Sequence, residues 1–405
     1  MKNLLLKITI LILTLCLSSF ILACDDPQED EVQVTGTYRY RVATGTREVE
    51  KDGQTETESY KYYIITGFEV SSEDALKMAE GDFSSVEDYR KITIPSNGTD
   101  LPNGKDYPIE EISAGAFTNQ IIFTEIVVGD NIKKIGEGAF AGCTNLQKLT
   151  LPFIGEKIDA VNNARVFGHV FGSSATNEGN TEVKAFINER KNDSGETILG
   201  ETEVTFKVPT SLKTVDLSNS KIESISECAF YNMSTLNSVI LPETVKAIDS
   251  HAFYGCIALK SFDLNKVEVI DQFAFADCLG LNSVDFKGVK TIKLGAFKGC
   301  TSLGVKKFVN DEESLTIKLP ETVEVIGKKV FEGCTSIKYI NLKGSKVNVI
   351  DNSAFSGCTS LVKIIINDNT AIRTSAFKGC AKLVKEGVVG TYTAEEKAFD
   401  FEDKE

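Results

Sequence analysis

Residues 248–264 read IDSHAFYGCIALKSFDL, residues 270–286 read IDQFAFADCLGLNSVDF, and residues 292–303 start the pattern again as IKLGAFKGCTSL. Each stretch runs Ile-x-x-x-Ala-Phe-x-x-Cys-x-x-Leu, and then apolar residues at alternate positions. Working outward, Ala-Phe recurs at 116–117, 139–140, 229–230, 252–253, 274–275, 296–297, 354–355 and 376–377, with Val330-Phe331 as a variant. Most steps between these Phe residues are 22 to 24 residues long, as from Phe230 to Phe253 to Phe275 to Phe297. Cys follows seven of these nine Phe at the third position (Cys143, Cys256, Cys278, Cys300, Cys334, Cys358, Cys380), and Ile precedes each Ala at the fourth (Ile112, Ile135, Ile225, Ile248, Ile270, Ile292, Ile350, Ile372).

The alternating tail, as in Leu236-x-x-Val239-x-Leu241, has the period of a short strand with one buried face. The stretch from Ile to Leu has spacings of three and four and predicts a turn or two of helix-like coil. One such unit cannot bury its own apolar side, but stacked units share a continuous core. The expected architecture is a solenoid with a parallel sheet, strands about 4.8 Å apart. Ala would sit where coils touch and Phe would fill the space between sheet and coil, an aromatic burial worth about 1.5–3 kcal/mol each.

This register resembles the leucine-rich repeats of the BspA-like family of bacterial and protozoan surface proteins. The resemblance covers about residues 109–384. It implies a right-handed leucine-rich-repeat solenoid (an α/β-type coil), a surface location, and binding rather than catalysis.

Flanking segments complete the expected organisation. Residues 1–24 combine Lys2 and Lys7 with an apolar run from Ile8 to Leu17 and carry no Asp or Glu, which reads as an export signal too short to span a bilayer. It ends Ile21-Leu22-Ala23-Cys24, which resembles a bacterial lipoprotein processing site and implies lipidation of Cys24; plain secretion is the alternative. Residues 25–35 are expected as an acidic tether, 36–108 as a β-rich N-terminal cap with an irregular helix near Glu73–Glu80, and 385–405 as an acidic tail. An independent small domain is the alternative reading of 36–108. The repeat phase is lost at about 153–203, a stretch holding Phe167-Gly168-His169-Val170-Phe171-Gly172. It is expected as an excursion on one rim, with Phe167 and Phe171 tucked onto the solenoid, or as a partner-binding insertion.

Composition narrows function. Lys and Arg total 44 against 58 Asp and Glu, a net charge of -14, which argues against a nucleic-acid partner. The chain has only two histidines, His169 and His251, and no Cys-x-x-Cys, His-Glu-x-x-His, Gly-x-Ser-x-Gly or phosphate loop. No metal or cofactor is expected and no catalytic residue is assigned. Asp263 and Asp285 fall one repeat apart on a flat sheet, which suits no glycosidase cleft. His251 is expected at the surface, and His169 in a structural or solvent-facing role. The seven in-phase cysteines should point the same way, which disfavours disulfides and favours a reduced ladder whose S–H groups satisfy turn carbonyls. Met233 holds that position after Phe230, as a packing site allows. Cys228, out of phase, is the best candidate for a reactive thiol.

The remaining candidate surface is the outward face of the sheet, formed by alternate strand positions: Lys148, Thr150, Ser238, Ile240, Ser261, Asp263, Ser283, Asp285, Tyr339, Asn341, Lys363 and Ile365. Rows of similar groups at regular spacing suit an extended ligand. The expected function is that of a lipid-anchored surface protein binding extracellular or host proteins or other bacterial cells, as an adhesin does. The alternative is an envelope structural protein with no outside ligand.

Overall fold

The computed structural model describes residues 38–51, 54–70, 74, 87–101, 104–187, 190–192, 197–198, 202–264, 266–304 and 316–394. The export signal, Cys24, the acidic tether and, apart from Asp74, the helix expected near Glu73–Glu80 lie outside the described residues.

The chain winds as a parallel-sheet β-solenoid of about 11 turns, with little helix. The alternating tails line up as one face (sheet I), made of three hydrogen-bonded groups of strands. Its strands Lys91–Ile94, Glu125–Val128, Lys148–Thr150, Thr214–Asp216 and Ser238–Ile240 pair in parallel, with Ile92, Ile126, Leu149, Val215 and Val239 side by side. Ser261–Asp263 pairs with Ser283–Asp285, and Thr316–Lys318, Tyr339–Asn341, Lys363–Ile365 and Val388–Val389 continue the series. Sheet I therefore starts upstream of the expected boundary at 109 and runs past the expected end at 384. The first and last strands each lack the Ala-Phe signature that marks the repeat in the sequence.

A second sheet (sheet II) was not expected. The recurring Ile ends a strand of two residues in most turns, and these stack in parallel: Ile112 beside Ile135, then Ile225, Ile248, Ile270, Ile292 and Ile326, then Ile350 beside Ile372. The stretch from Ile to Leu is accordingly not helical. Its physical reason lies in the backbone. The residue before each Ala has φ between 54° and 67° in all nine units, from Gly115, Gly138 and Cys228 to Ser353 and Ser375. The second residue after each Phe (Asn119, Asn232, Asp277 or Gly in the other six) is left-handed as well. A right-handed helix cannot pass through such residues, so Ala-Phe is held in a tight turn between two of them.

Within this turn layer the Phe rings form a column. Phe230, Phe253, Phe275 and Phe297 stack at 5.1, 5.1 and 5.3 Å with planes within 5° of parallel, and Phe331, Phe355 and Phe377 extend the column. Beside it runs a column of thiols. Each in-phase Cys donates its S–H to the carbonyl of the Phe one turn earlier, as Cys256 Sγ to Phe230 O at 3.1 Å and Cys278 Sγ to Phe253 O at 3.1 Å. All eight described cysteines are free and buried, and burial pushes the Cys256 thiol up to about 12.

The N-terminal end is closed by a long hairpin, β1 (Tyr38–Lys51) and β2 (Gln54–Phe68). β2 pairs in parallel with Ile109–Ile112, bringing Ile65 beside Ile112. Tyr40, Tyr63, Ile65 and Phe68 are buried against the first turns.

The out-of-phase segment divides in two. Residues 153–172 form a turn of the solenoid: Gly138 and Phe140 donate to His169 O and Val170 O, and Phe167 donates to Ala229 O. The Phe167 ring packs against Phe230 with centroids 5.1 Å apart and planes tilted by 33°. The island is thus a layer of the stack and not an appendage on its rim. The excursion proper is the antiparallel hairpin Asn180–Ile187 and Thr202–Pro209. It leaves the body where Thr210 donates to Gly179 O, and Phe186, near the far end of the paired strands, packs against Tyr231.

Candidate binding face

Sheet I places the candidate side chains in two rows. One row holds Lys148 and Ser238, then Ser261 and Ser283, then Tyr339 and Lys363; the other holds Ile240, then Asp263 and Asp285, then Asn341 and Ile365. The geometry follows from pleat alternation: the middle residue of each strand enters the core and its two neighbours point the other way. Ser261, Asp263, Asp285 and Ile240 are exposed, and Ser238, Ser283, Tyr339, Asn341, Lys363, Ile365 and Lys148 are half-buried.

Thr150 departs from this pattern. It lies between Val127 and Asp216 and is only 6 % exposed, so it presents little to a partner. Lys148 is already engaged, 3.5 Å from Glu125 and 3.3 Å from Asp216, while Lys91 reaches Glu125 at 3.3 Å. Burial alone would raise Asp216, but hydrogen bonds from Ser218 and the Lys148 ammonium hold its carboxyl below the ordinary value. Lys91, Glu125, Thr214 and Asp216 thus belong to the same rows and were missed. The alternation around Ile92, Ile126 and Val215 is the signal that marks them.

The face is interrupted twice, between Ser283–Asp285 and Thr316–Lys318 and at an earlier step. Ser238–Ile240 and Ser261–Asp263 occupy successive turns, yet they belong to different sheets. A groove of about 250 Å³ lies over this step, lined by Ser238, Ile240, Ser261 and Asp263 together with Glu243 and Lys266. Ile240 is 42 % exposed there, and Lys266 Nζ stands 3.1 Å from Glu243. The groove thus joins an apolar anchor, hydroxyls and charges of both signs, a composition suited to binding a polar chain rather than to chemistry.

The other singled-out residues are interior. His251 is buried, contrary to its expected surface position: its ring lies 5.2 Å from Phe273, and Nδ1 is 2.9 Å from Ser250 Oγ. The left-handed backbone at 251 lets the side chain pack along the turn layer among Tyr231, Tyr254 and Phe273. Cys228 occupies the equivalent left-handed position one turn earlier and is fully buried, which removes it as an accessible thiol. His169 is buried as well, in a structural position. Among the described residues, no group of three or more His, Cys, Asp or Glu could hold a metal ion, and no helix is long and apolar enough to cross a membrane.

The model of the BspA type leucine rich repeat region matches six copies, over residues 108–162, 202–316 and 301–400. Solved structures of similar chains include a leucine-rich repeat protein from Bacteroides ovatus (19 % identity, 93 % of this chain and 81 % of that one, TM-score 0.36). A leucine rich cell surface protein from Faecalibacterium prausnitzii is similar too (20 % identity, 93 % and 97 % of the two chains, TM-score 0.33). So is the pneumococcal vaccine antigen PcpA (16 % identity, 91 % and 99 %, TM-score 0.31). Comparison with curated proteins gave no match.

Proposed function

Because the chain belongs to the BspA-type leucine-rich-repeat family, we propose that it is an exported, lipid-anchored protein that binds macromolecules outside the membrane through the outward face of sheet I. The family is one of bacterial surface proteins, and its fold serves protein–protein interaction. Cys24 is the lipidated residue on this reading, residues 25–35 hold the solenoid off the membrane, and the partners are extracellular or host proteins or other bacterial cells.

The observation that supports the binding face is the groove at the step in sheet I, where Ser238, Ile240, Ser261 and Asp263 converge. An exposed isoleucine flanked by polar groups is the kind of anchor around which interface energy concentrates. Further contacts along the rows would add to affinity by area and multivalency rather than by one deep pocket.

The test compares the mature protein with Ile240→Glu and Asp263→Arg in capture from host-cell and bacterial surface extracts. Capture by the parent, lost at least tenfold in both variants, supports the reading. Equal capture by all three, or none by the parent, favours an envelope structural role instead. Residues 153–172 form a turn of the stack, so a companion deletion is confined to residues 188–201.

A further inference from the structure

Sheet II is broken in two places, between Val325–Ile326 and Val349–Ile350 and, where a cleft opens, between Lys134–Ile135 and Ser224–Ile225. From Ala247–Ile248 to Val325–Ile326, each turn sends two backbone N–H groups to the preceding one. Lys246 donates to Glu223 O and Asp249 to Ile225 O; Glu268 donates to Lys246 O and Asp271 to Ile248 O; Lys290 donates to Glu268 O and Lys293 to Ile270 O. The equivalent donors one turn earlier are Glu223 and Ser226, and neither N–H makes such a bond. The turn that should receive them has swung into the 154–165 loop, where Glu156 instead pairs with Ile135 N and Ala164 O.

A cleft of about 350 Å³ occupies the gap, and both residues line it. Its apolar part is Ile154 and Ile222, with Ile158 59 % exposed on the wall. Lys157, Arg165 and Lys221 line it against the single carboxylate of Glu223, in a chain of net charge -14. Arg165 Nη2 stands 2.9 Å from Glu227 Oε2. That contact is off the N–H direction, and Nε and Nη2 are both buried without a hydrogen-bond acceptor. The cleft therefore combines two unanswered backbone donors at strand spacing, an under-satisfied guanidinium and exposed aliphatic surface.

We propose that this cleft binds a short extended peptide segment carrying an acidic residue next to apolar ones, which adds to the free edge of Ser224–Ile225 as the missing strand. The peptide's carbonyl oxygens take the N–H groups of Glu223 and Ser226, its acidic side chain meets Arg165 and Lys221, and its apolar side chain covers Ile154 and Ile158. Strand addition of this kind draws affinity from main-chain bonds and specificity from side-chain pockets. The inference rests on the protein-binding reading above but uses a different surface.

The experiment titrates the mature protein into fluorescein-labelled, end-capped peptides of alternating Val and Asp or alternating Val and Lys. Fluorescence anisotropy reports binding, and hydrogen exchange reports the amides. The Val–Asp peptide is expected to bind at least tenfold more tightly than the Val–Lys peptide and to slow exchange at Glu223 and Ser226. Lys221→Glu, an exposed change that leaves the core untouched, should weaken it at least fivefold, and Ala160→Trp should block it. Equal binding of the two peptides, binding unaffected by both variants, or unchanged exchange at 223 and 226 would overturn the proposal. Ile240→Glu should leave this binding intact. Loss of extract capture in Ile240→Glu, together with no peptide binding, would sink the cleft and spare the sheet I face.

Discussion

At His169 an imidazole is sealed into an irregular turn of the stack, with neither ring nitrogen in hydrogen-bonding geometry. Its backbone is well used, since His169 O receives the N–H of Gly138 and of Gly172, so the side chain has no freedom to turn outward without loosening the layer. Burial lowers its pKa below the ordinary 6.5, while Glu137 and Glu156 pull it part of the way back. The unfolded chain therefore binds a proton at His169 that the folded chain refuses. Stability from this residue is present above about pH 6.5 and is lost as pH falls toward the folded value. Melting of the parent and of His169→Leu at pH 7.5 and at pH 5 checks this. The parent should lose more melting temperature on acidification than the variant, because the other titrating groups are common to both. Equal losses would show that the ring is solvated or already paired.

At the level of the repeated element, much was legible. Phase-locked Phe, Ala and Cys report burial directly, because a column of identical side chains forms only if every turn presents them in the same orientation. The alternating tails likewise revealed the rows of the binding face. Sheet II stayed hidden because a strand of two residues has no alternation to show. The turn layer was misread as helix-like because spacings of three and four do not distinguish a helix from a tight turn held by left-handed residues. The signal was present in the Gly, Asn or Asp two residues after each in-phase Phe, residues that tolerate that backbone. Thr150 and His251 failed for a related reason, since their neighbours across turns, not along the chain, decide their burial. The backbone reading makes a paired prediction. Lys329 has φ 61°, a conformation that costs a side-chain-bearing residue about 1–2 kcal/mol; Lys329→Gly relieves that strain, offset in part by the unfolded-state entropy of Gly. A small rise in melting temperature, or none, is expected. Gly255 has φ 70°, and a Cβ there would meet Asn232 Oδ1 at 2.3 Å. Gly255→Ala should therefore destabilise by about 1–3 kcal/mol, read by denaturant unfolding. The same loss in both variants would contradict the left-handed assignment.

Across the whole molecule, each turn touches only its neighbours, so damage should stay near where it is made. Opposite charges reinforce the stacking register along one flank: the residue two before the sheet II Ile alternates Glu110, Lys133, then Glu223, Lys246, Glu268, Lys290 and Glu324, before Asn348 and Thr370 end the series. Glu110–Lys133 and Glu268–Lys290 close to 2.6 and 2.7 Å. A slip by one turn would set like charges together, which favours the observed pairing over its neighbours. The N-terminal end cannot rely on a further turn, and β1 and β2 take that place by covering Ile109, Ile112 and Phe117 with Tyr40, Tyr63 and Phe68. Removing residues 38–68 should therefore expose an apolar end and raise binding of a hydrophobic dye. Amide exchange should quicken around Ile112 and Ile135 and leave the column from Phe253 to Phe297 protected. Removing residues 188–201 should change none of these, because Phe186 and Phe206, which pack against the body, remain. If the first deletion unfolds the distant column as readily as the near turns, the solenoid is one cooperative block and the nearest-neighbour account fails.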